Sequence, residues 1–202
     1  MEPRFAPALR TLAELFDAAA LTLQIPIRFA LIGGLGVSAW GAVRATEDID
    51  LLADSSPTPL SDVGLRDRLR RYLEEKGCVA EWRVGDSGDP IPLLLHLELP
   101  PLGRGMAVDI LWAHKRWQRE ALLRRISMSI PQLPLFVLHP EDLILMKLEA
   151  GGPQDLLDVE TLLSNPPAEL NLKSLCQRAA TLRLGRVLDR CLRDAGTKPR
   201  KR

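Results

Sequence analysis

The sequence predicts an α/β (α+β) protein, with strands and helices intermixed up to about residue 138 and helices from there to the end. Three observations predict it. Residues 29–52 read as an apolar strand, a glycine turn, a small-residue helix and a second strand. Residues 78–112 hold apolar and alternating runs punctuated by Gly and Pro, the pattern of antiparallel hairpins. From His139 onward the apolar spacing is helical. The chain therefore divides into residues 1–138 and a C-terminal helical region, 139–202, with a basic tail.

Phe5, Leu9, Leu12, Phe16, Ala19 and Leu23 recur at steps of four and three, one face of an N-terminal helix over 5–24, with Pro26 as its stop. Residues 28–32 form a strand, and Gly33-Gly34 turns the chain into a short helix over 35–42. Asp48 to Ala53 is the next strand. Pro57 and Pro59 mark a loop, and Leu65, Leu69, Tyr72 and Leu73 give a helical stripe closed by Gly77. Residues 78–84, Ile91–Leu99 and Met106–Trp112 are strands, the last two joined through Pro100-Pro101-Leu102-Gly103-Arg104-Gly105 and the first followed by a turn from Gly85 to Pro90. His139-Pro140-Glu141-Asp142 starts a helix, with proline in the first turn and two acids at the positive end of the helix dipole.

Composition narrows the class. The 202 residues, 46% hydrophobic and 26% charged, suit one globular domain or one domain with a helical appendage. A net charge of +1 argues neither for nor against a nucleic-acid partner, and only Lys198-Pro-Arg-Lys-Arg202 is locally basic, read as a solubilising end in preference to an RNA contact. The three cysteines, Cys78, Cys176 and Cys191, lack metal-ligand spacing. The N-terminal region is a mixed-charge amphipathic pattern rather than a signal peptide, and the longest uncharged run, Phe29 to Val43, is too short for a membrane span. The expectation is a soluble, reduced, cytoplasmic protein with no membrane partner.

The chemistry concentrates in a few residues. Asp48 and Asp50 lie two apart on a strand, so they point to one face and can grip one divalent cation. Asp109 interrupts the apolar strand Met106–Trp112, where an ionised carboxylate is costly unless paired or metal-bound. Three hard oxygen donors suit Mg²⁺ or Mn²⁺, which bind substrate phosphates, and two ions ~3.5–4 Å apart would clamp an in-line displacement. Gly33 and Gly34 at a helix start offer backbone N–H groups to phosphate oxygens, and Ser38 and Arg44 can add a hydroxyl and a cation. His96 and Glu98 share a strand face, and an approximate hairpin register sets His96 opposite Asp109, where it could orient that carboxylate or the acceptor. Thr46 reads as a turn-fixing hydroxyl. Trp82, Trp112 and Trp117 read as core or sheet-face aromatics.

Ile32-Gly-Gly34, Arg44-Ala-Thr-Glu-Asp-Ile-Asp-Leu51, Val108-Asp-Ile110, Pro140-Glu-Asp-Leu-Ile-Leu-Met-Lys147 and Pro153-Gln-Asp-Leu-Leu-Asp158 together resemble the polymerase-β-like minimal nucleotidyltransferase superfamily, in particular the bacterial AbiEii-type toxin–antitoxin nucleotidyltransferases. The likeness spans residues 28–163. It implies a mixed sheet flanked by helices, with residues 1–138 as the catalytic domain. It implies transfer of a nucleoside monophosphate from an NTP to a hydroxyl acceptor, whether RNA, a protein or a small molecule, with a possible cognate partner protein. On it, Asp48, Asp50 and Asp109 bind metal, Asp109 can activate the acceptor, Gly33 and Gly34 hold the triphosphate, and Lys147 approaches phosphate. The likeness departs at Gly34, where many members carry a phosphate-binding serine whose hydroxyl is missing here unless Ser38 substitutes, and at Gly152, where relatives often carry arginine.

Two other readings compete. Gly34-Leu-Gly36-Val-Ser-Ala39 fits G-x-G-x-x-A after a strand, with Asp54 at the end of the second strand, the outline of a dinucleotide binder. That outline leaves Asp48 and Asp50 unexplained. The second is a non-catalytic nucleotide sensor or toxin–antitoxin interaction module on the same scaffold.

Overall fold

The computed structural model describes residues 5–196, except 43, 59, 61, 87–90, 101–105 and 131–132. The tip of the hairpin at 101–105, part of the turn from Gly85 to Pro90 and the basic tail therefore lie outside the described residues. The order is α1 (Phe5–Leu23), β1 (Arg28–Leu31), α2 (Gly33–Ala39), β2 (Ile49–Asp54), α3 (Val63–Glu75), β3 (Val79–Val84), β4 (Leu93–Leu99) and β5 (Met106–Trp112), then α4 (Arg116–Leu123), β6 (Ile126–Ile130), β7 (Leu133–Val137), α5 (Pro140–Ala150), α6 (Pro153–Ser164), α7 (Leu172–Thr181) and α8 (Gly185–Asp194). The mixed α/β architecture is as the sequence predicts.

The strands form one seven-stranded sheet, ordered β3-β4-β5-β2-β1-β7-β6. β2 runs parallel to β5 and β1 parallel to β7; every other neighbouring pair is antiparallel. The antiparallel β1–β2 pairing removes the dinucleotide-binder reading, because that motif needs two parallel strands joined by a crossover helix. Segment 113–137, which the sequence reading leaves unassigned, supplies α4 and the β6–β7 hairpin.

One hydrophobic core runs from α1 to α8. α1 buries Phe5, Leu9, Leu12, Phe16 and Ala19, the stripe that its periodicity predicts. It stops at Leu23 because Gln24 takes a positive φ of 56°, two residues ahead of Pro26. The sheet is two-faced. Ile49, Leu51, Leu95, Leu97, Leu99, Val108, Ile110 and Trp112 bury one face. On the other, Glu81 and Glu98 are exposed and His96, Asp109 and Asp50 half-buried, while Leu52 beside them is covered. Asp50 thus stands where an open sheet surface gives way to a covered one.

Candidate active site

β2 and β5 lie side by side with Asp50 in register with Asp109, so neighbouring strands present the two carboxylates on the same face. The next strand places His96 directly opposite Asp109, as the hairpin register predicts. The His96 Nδ1 and Asp109 Oδ1 atoms are 2.6 Å apart. With Asp109 ionised, Nδ1 carries the proton and donates. Asp48 sits one residue before the first residue of β2, and the Thr46 hydroxyl donates to its Oδ1 at 2.9 Å. That is the turn-fixing contact expected of Thr46.

Burial, with Asp48 and Asp109 close by, pushes the Asp50 pKa up to about 6, and Lys147 and Arg44 pull against that rise. Asp48, Asp109, Lys147 and Arg44 therefore all act on one carboxylate. Gly33 explains how Asp50 is accommodated. Its φ is +54°, and a Cβ at this position would fall 1.8 Å from Asp50 Oδ2. A side chain is excluded on both counts, so bare backbone meets the carboxylate.

Gly34 makes room for a different group. A Cβ there would come within 2.9 Å of Arg44 Nη2 and 3.0 Å of the Thr46 Cβ. A guanidinium therefore lies against this glycine, whose lack of a side chain admits it. Ser38 holds the Arg44 backbone from both sides: its hydroxyl accepts from the Arg44 N–H at 3.3 Å and donates to the Arg44 carbonyl at 3.4 Å. The late block closes on the same place. Arg44 Nε lies 3.3 Å from Asp158 Oδ1, and Lys147 Nζ lies 2.7 Å from Asp155 Oδ1 and 3.0 Å from Asp158 Oδ2. Gln154 donates to Asp158 Oδ1 at 3.0 Å.

No family model and no curated protein sequence matches this chain. Among solved structures it is similar to an antigenic nucleotidyltransferase-like protein from Paracoccidioides brasiliensis, at 18% identity and a TM-score of 0.51, over 94% of this chain and 90% of that one. The fold is nucleotidyltransferase-like. The chain is also similar to ANT(2″)-Ia in complex with adenylyl-2″-tobramycin (16% identity, TM-score 0.44, 91% of this chain and 96% of that one). A further similarity is to the poly(A) polymerase complex GLD-2–GLD-3 (15% identity, TM-score 0.42, 95% of this chain and 70% of that one). At these lower scores the last two add nothing to the fold assignment.

Within this fold the chemistry of the donors suits a hard divalent cation. Asp48 and Asp109 each commit one oxygen to a neighbour, and the Asp50 carboxylate has no hydrogen bond or ion pair among the described residues. A half-buried carboxylate left open beside two others, against a glycine that cannot carry a side chain, is matched by a cation. Among the described residues the three are not already drawn into a cage.

In the sequence Asp155 and Asp158 stand out only as part of the late block of the resemblance, and the helix dipole alone explains Asp155. Only the fold reveals that both face Lys147 and that Asp158 also faces Arg44. Asp54, the acid of the dinucleotide outline, is buried and occupied: Ser56 donates to it through N–H and hydroxyl, and Arg119 and Arg28 lie 3.5 and 4.0 Å away.

Proposed function

We propose that this chain is a metal-dependent nucleotidyltransferase that moves a nucleoside monophosphate from an NTP to a hydroxyl acceptor, an RNA end, a protein or a small molecule. One observation carries the reading: Asp50 and Asp109 side by side on parallel strands, with Asp48 two residues from Asp50 and Gly33 bare against Asp50. Asp48, Asp50 and Asp109 would hold Mg²⁺ or Mn²⁺. The cation, when bound, neutralises charge on the phosphates and on the departing pyrophosphate.

The chain's own residues do the rest. The triphosphate would lie along the backbone of Gly33 and Gly34 at the start of α2, with Arg44 and Lys147 to meet its charge. Asp109 takes the proton of the acceptor hydroxyl at the oxygen that His96 leaves free, and His96 keeps the carboxylate aimed. The acceptor oxygen bonds to the α-phosphorus, the bond from that phosphorus to the bridging oxygen breaks, and pyrophosphate leaves. An AbiEii-type toxin–antitoxin setting, with a cognate partner protein, rests on the sequence likeness alone.

A second reading, a non-catalytic nucleotide-binding or interaction module, is favoured by one fact: Arg44 and Lys147 already face carboxylates. A panel of radiolabelled NTPs incubated with Mg²⁺ or Mn²⁺ and lysate separates the two. Label transferred by the wild-type chain and lost in Asp48→Ala and Asp50→Ala supports the transferase. Intact nucleotide binding without transfer to any acceptor supports the module instead.

A further inference from the structure

A cavity of about 320 Å³ lies well away from the carboxylates, at the far ends of the parallel strands β2 and β5. Asp54 is four residues beyond Asp50 and Trp112 three beyond Asp109, roughly 10–13 Å at the rise of a strand. Trp112 also alternates to the opposite sheet face from Asp109. Leu60, Leu93, Trp112, Arg66, Arg119 and His114 contribute to its lining.

Among the described residues one arginine side chain of this lining has no partner. Trp112 is 6% exposed, and its indole N–H, buried without a hydrogen bond, lies behind the cavity surface, to which the residue contributes its ring. The Arg66 side chain makes no hydrogen bond or ion pair among the described residues; its backbone carbonyl accepts from the Trp82 indole and its N–H donates to the Asp62 carbonyl. The one carboxylate in the lining, Asp54, is already held by Ser56 and by Arg119 and Arg28. Burial, then the neighbouring Lys115, lowers the His114 pKa, so its imidazole is neutral at pH 7. The lining therefore offers donors and positive charge beside leucine, proline and indole surface.

We propose that this cavity is a second binding site, for a small organic anion with a carboxylate or phosphate head and an apolar body. Arg66 holds the head, and Leu60, Leu93 and the Trp112 ring cover the body. The volume is in the range of small-molecule sites. The proposal does not depend on the transferase reading, since none of the residues it uses belongs to the carboxylate site.

The test is a tryptophan-fluorescence titration of the full chain with benzoate, phenyl phosphate and neutral benzyl alcohol. At least one anion binds saturably, at least tenfold more tightly than benzyl alcohol. The stronger of the two identifies the head as carboxylate or phosphate. Arg66→Gln weakens that anion at least tenfold, and Trp112→Phe removes most of the signal. In the wild-type chain the same anion also protects Arg66 from phenylglyoxal, read by mass spectrometry, so the result stands even if a variant folds poorly. No saturable response to either anion, equal binding of benzyl alcohol, or unchanged binding and no protection at Arg66 would overturn the proposal.

Discussion

On the proposed function, Asp50 carries a conflict between function and stability. Its carboxyl titrates near pH 6 in the fold and near 4 in an unfolded chain. The folded state thus binds the proton more tightly, and ionised Asp50 destabilises the fold above about pH 6. That penalty fades as pH falls from 6 toward 4. Asp50→Asn removes it, so the metal-free variant should melt roughly 3–8 °C above wild type at pH 8, with the gap closing by pH 4. Calorimetry across that range checks the sign; a variant that melts lower at pH 8 would show that the site is not strained by its own charge. Transfer should be abolished in the same variant. His96 makes a complementary prediction. Removing its N–H frees Asp109 to rotate, so His96→Ala should lower kcat and Mn²⁺ affinity about 10–100-fold, as loss of an orienting partner does elsewhere. His96→Asn restores a donor and should recover part of both. Equal losses in the two variants would reduce His96 to packing.

At the scale of elements, the C-terminal helices are fastened through a buried acid. Asp142, fully buried on α5, receives Arg124 from the end of α4 at 2.8 Å and is also contacted by Arg178 of α7. Glu141 beside it accepts from the Asn171 N–H and the Ser174 hydroxyl at the start of α7. Two acids at the start of a helix are legible from sequence as partners of its dipole; that they also bind two other elements is not, because the arginines lie 18 and 36 residues away. Removing Asp142 deletes two charge-assisted contacts but leaves arginines that reach solvent, so Asp142→Ala should cost about 2–3 kcal/mol in urea denaturation, against well under 1 for the exposed Arg116–Glu120 pair. The elements were legible to different degrees for the same kind of reason. α1, β2 and β5 carry their period in their own residues. α4 is only eight residues long, and Pro134 inside β7 argues against a strand. β7 accepts that proline because β1 pairs with it only at Val137, leaving the Pro134 end with one neighbour.

Across the whole molecule, residues far apart in sequence set the charge of one site. The carboxylates of Asp48, Asp50 and Asp109 were legible as a group, since alternation and one apolar strand suffice to single them out. The ion cluster of Arg44, Lys147, Asp155 and Asp158 was not, because it exists only once α5 and α6 fold back on the turn before β2. Together these give five carboxylates against two cations, within a chain whose overall charge is only +1. On the proposed function a polyanionic triphosphate would meet a negative site whose two cations are already engaged. Nucleotide affinity should therefore depend steeply on divalent cation. Calorimetry with ATP should show binding in Mg²⁺ or Mn²⁺ and at least a hundredfold loss in EDTA, equivalent to about 2.7 kcal/mol. Asp158→Asn should narrow that gap from the metal-free side, because it removes one negative charge and releases Arg44 and Lys147 toward the phosphates. Metal-free binding as tight as metal-loaded binding would mean that the cations, and not the carboxylates, govern nucleotide recognition in this fold.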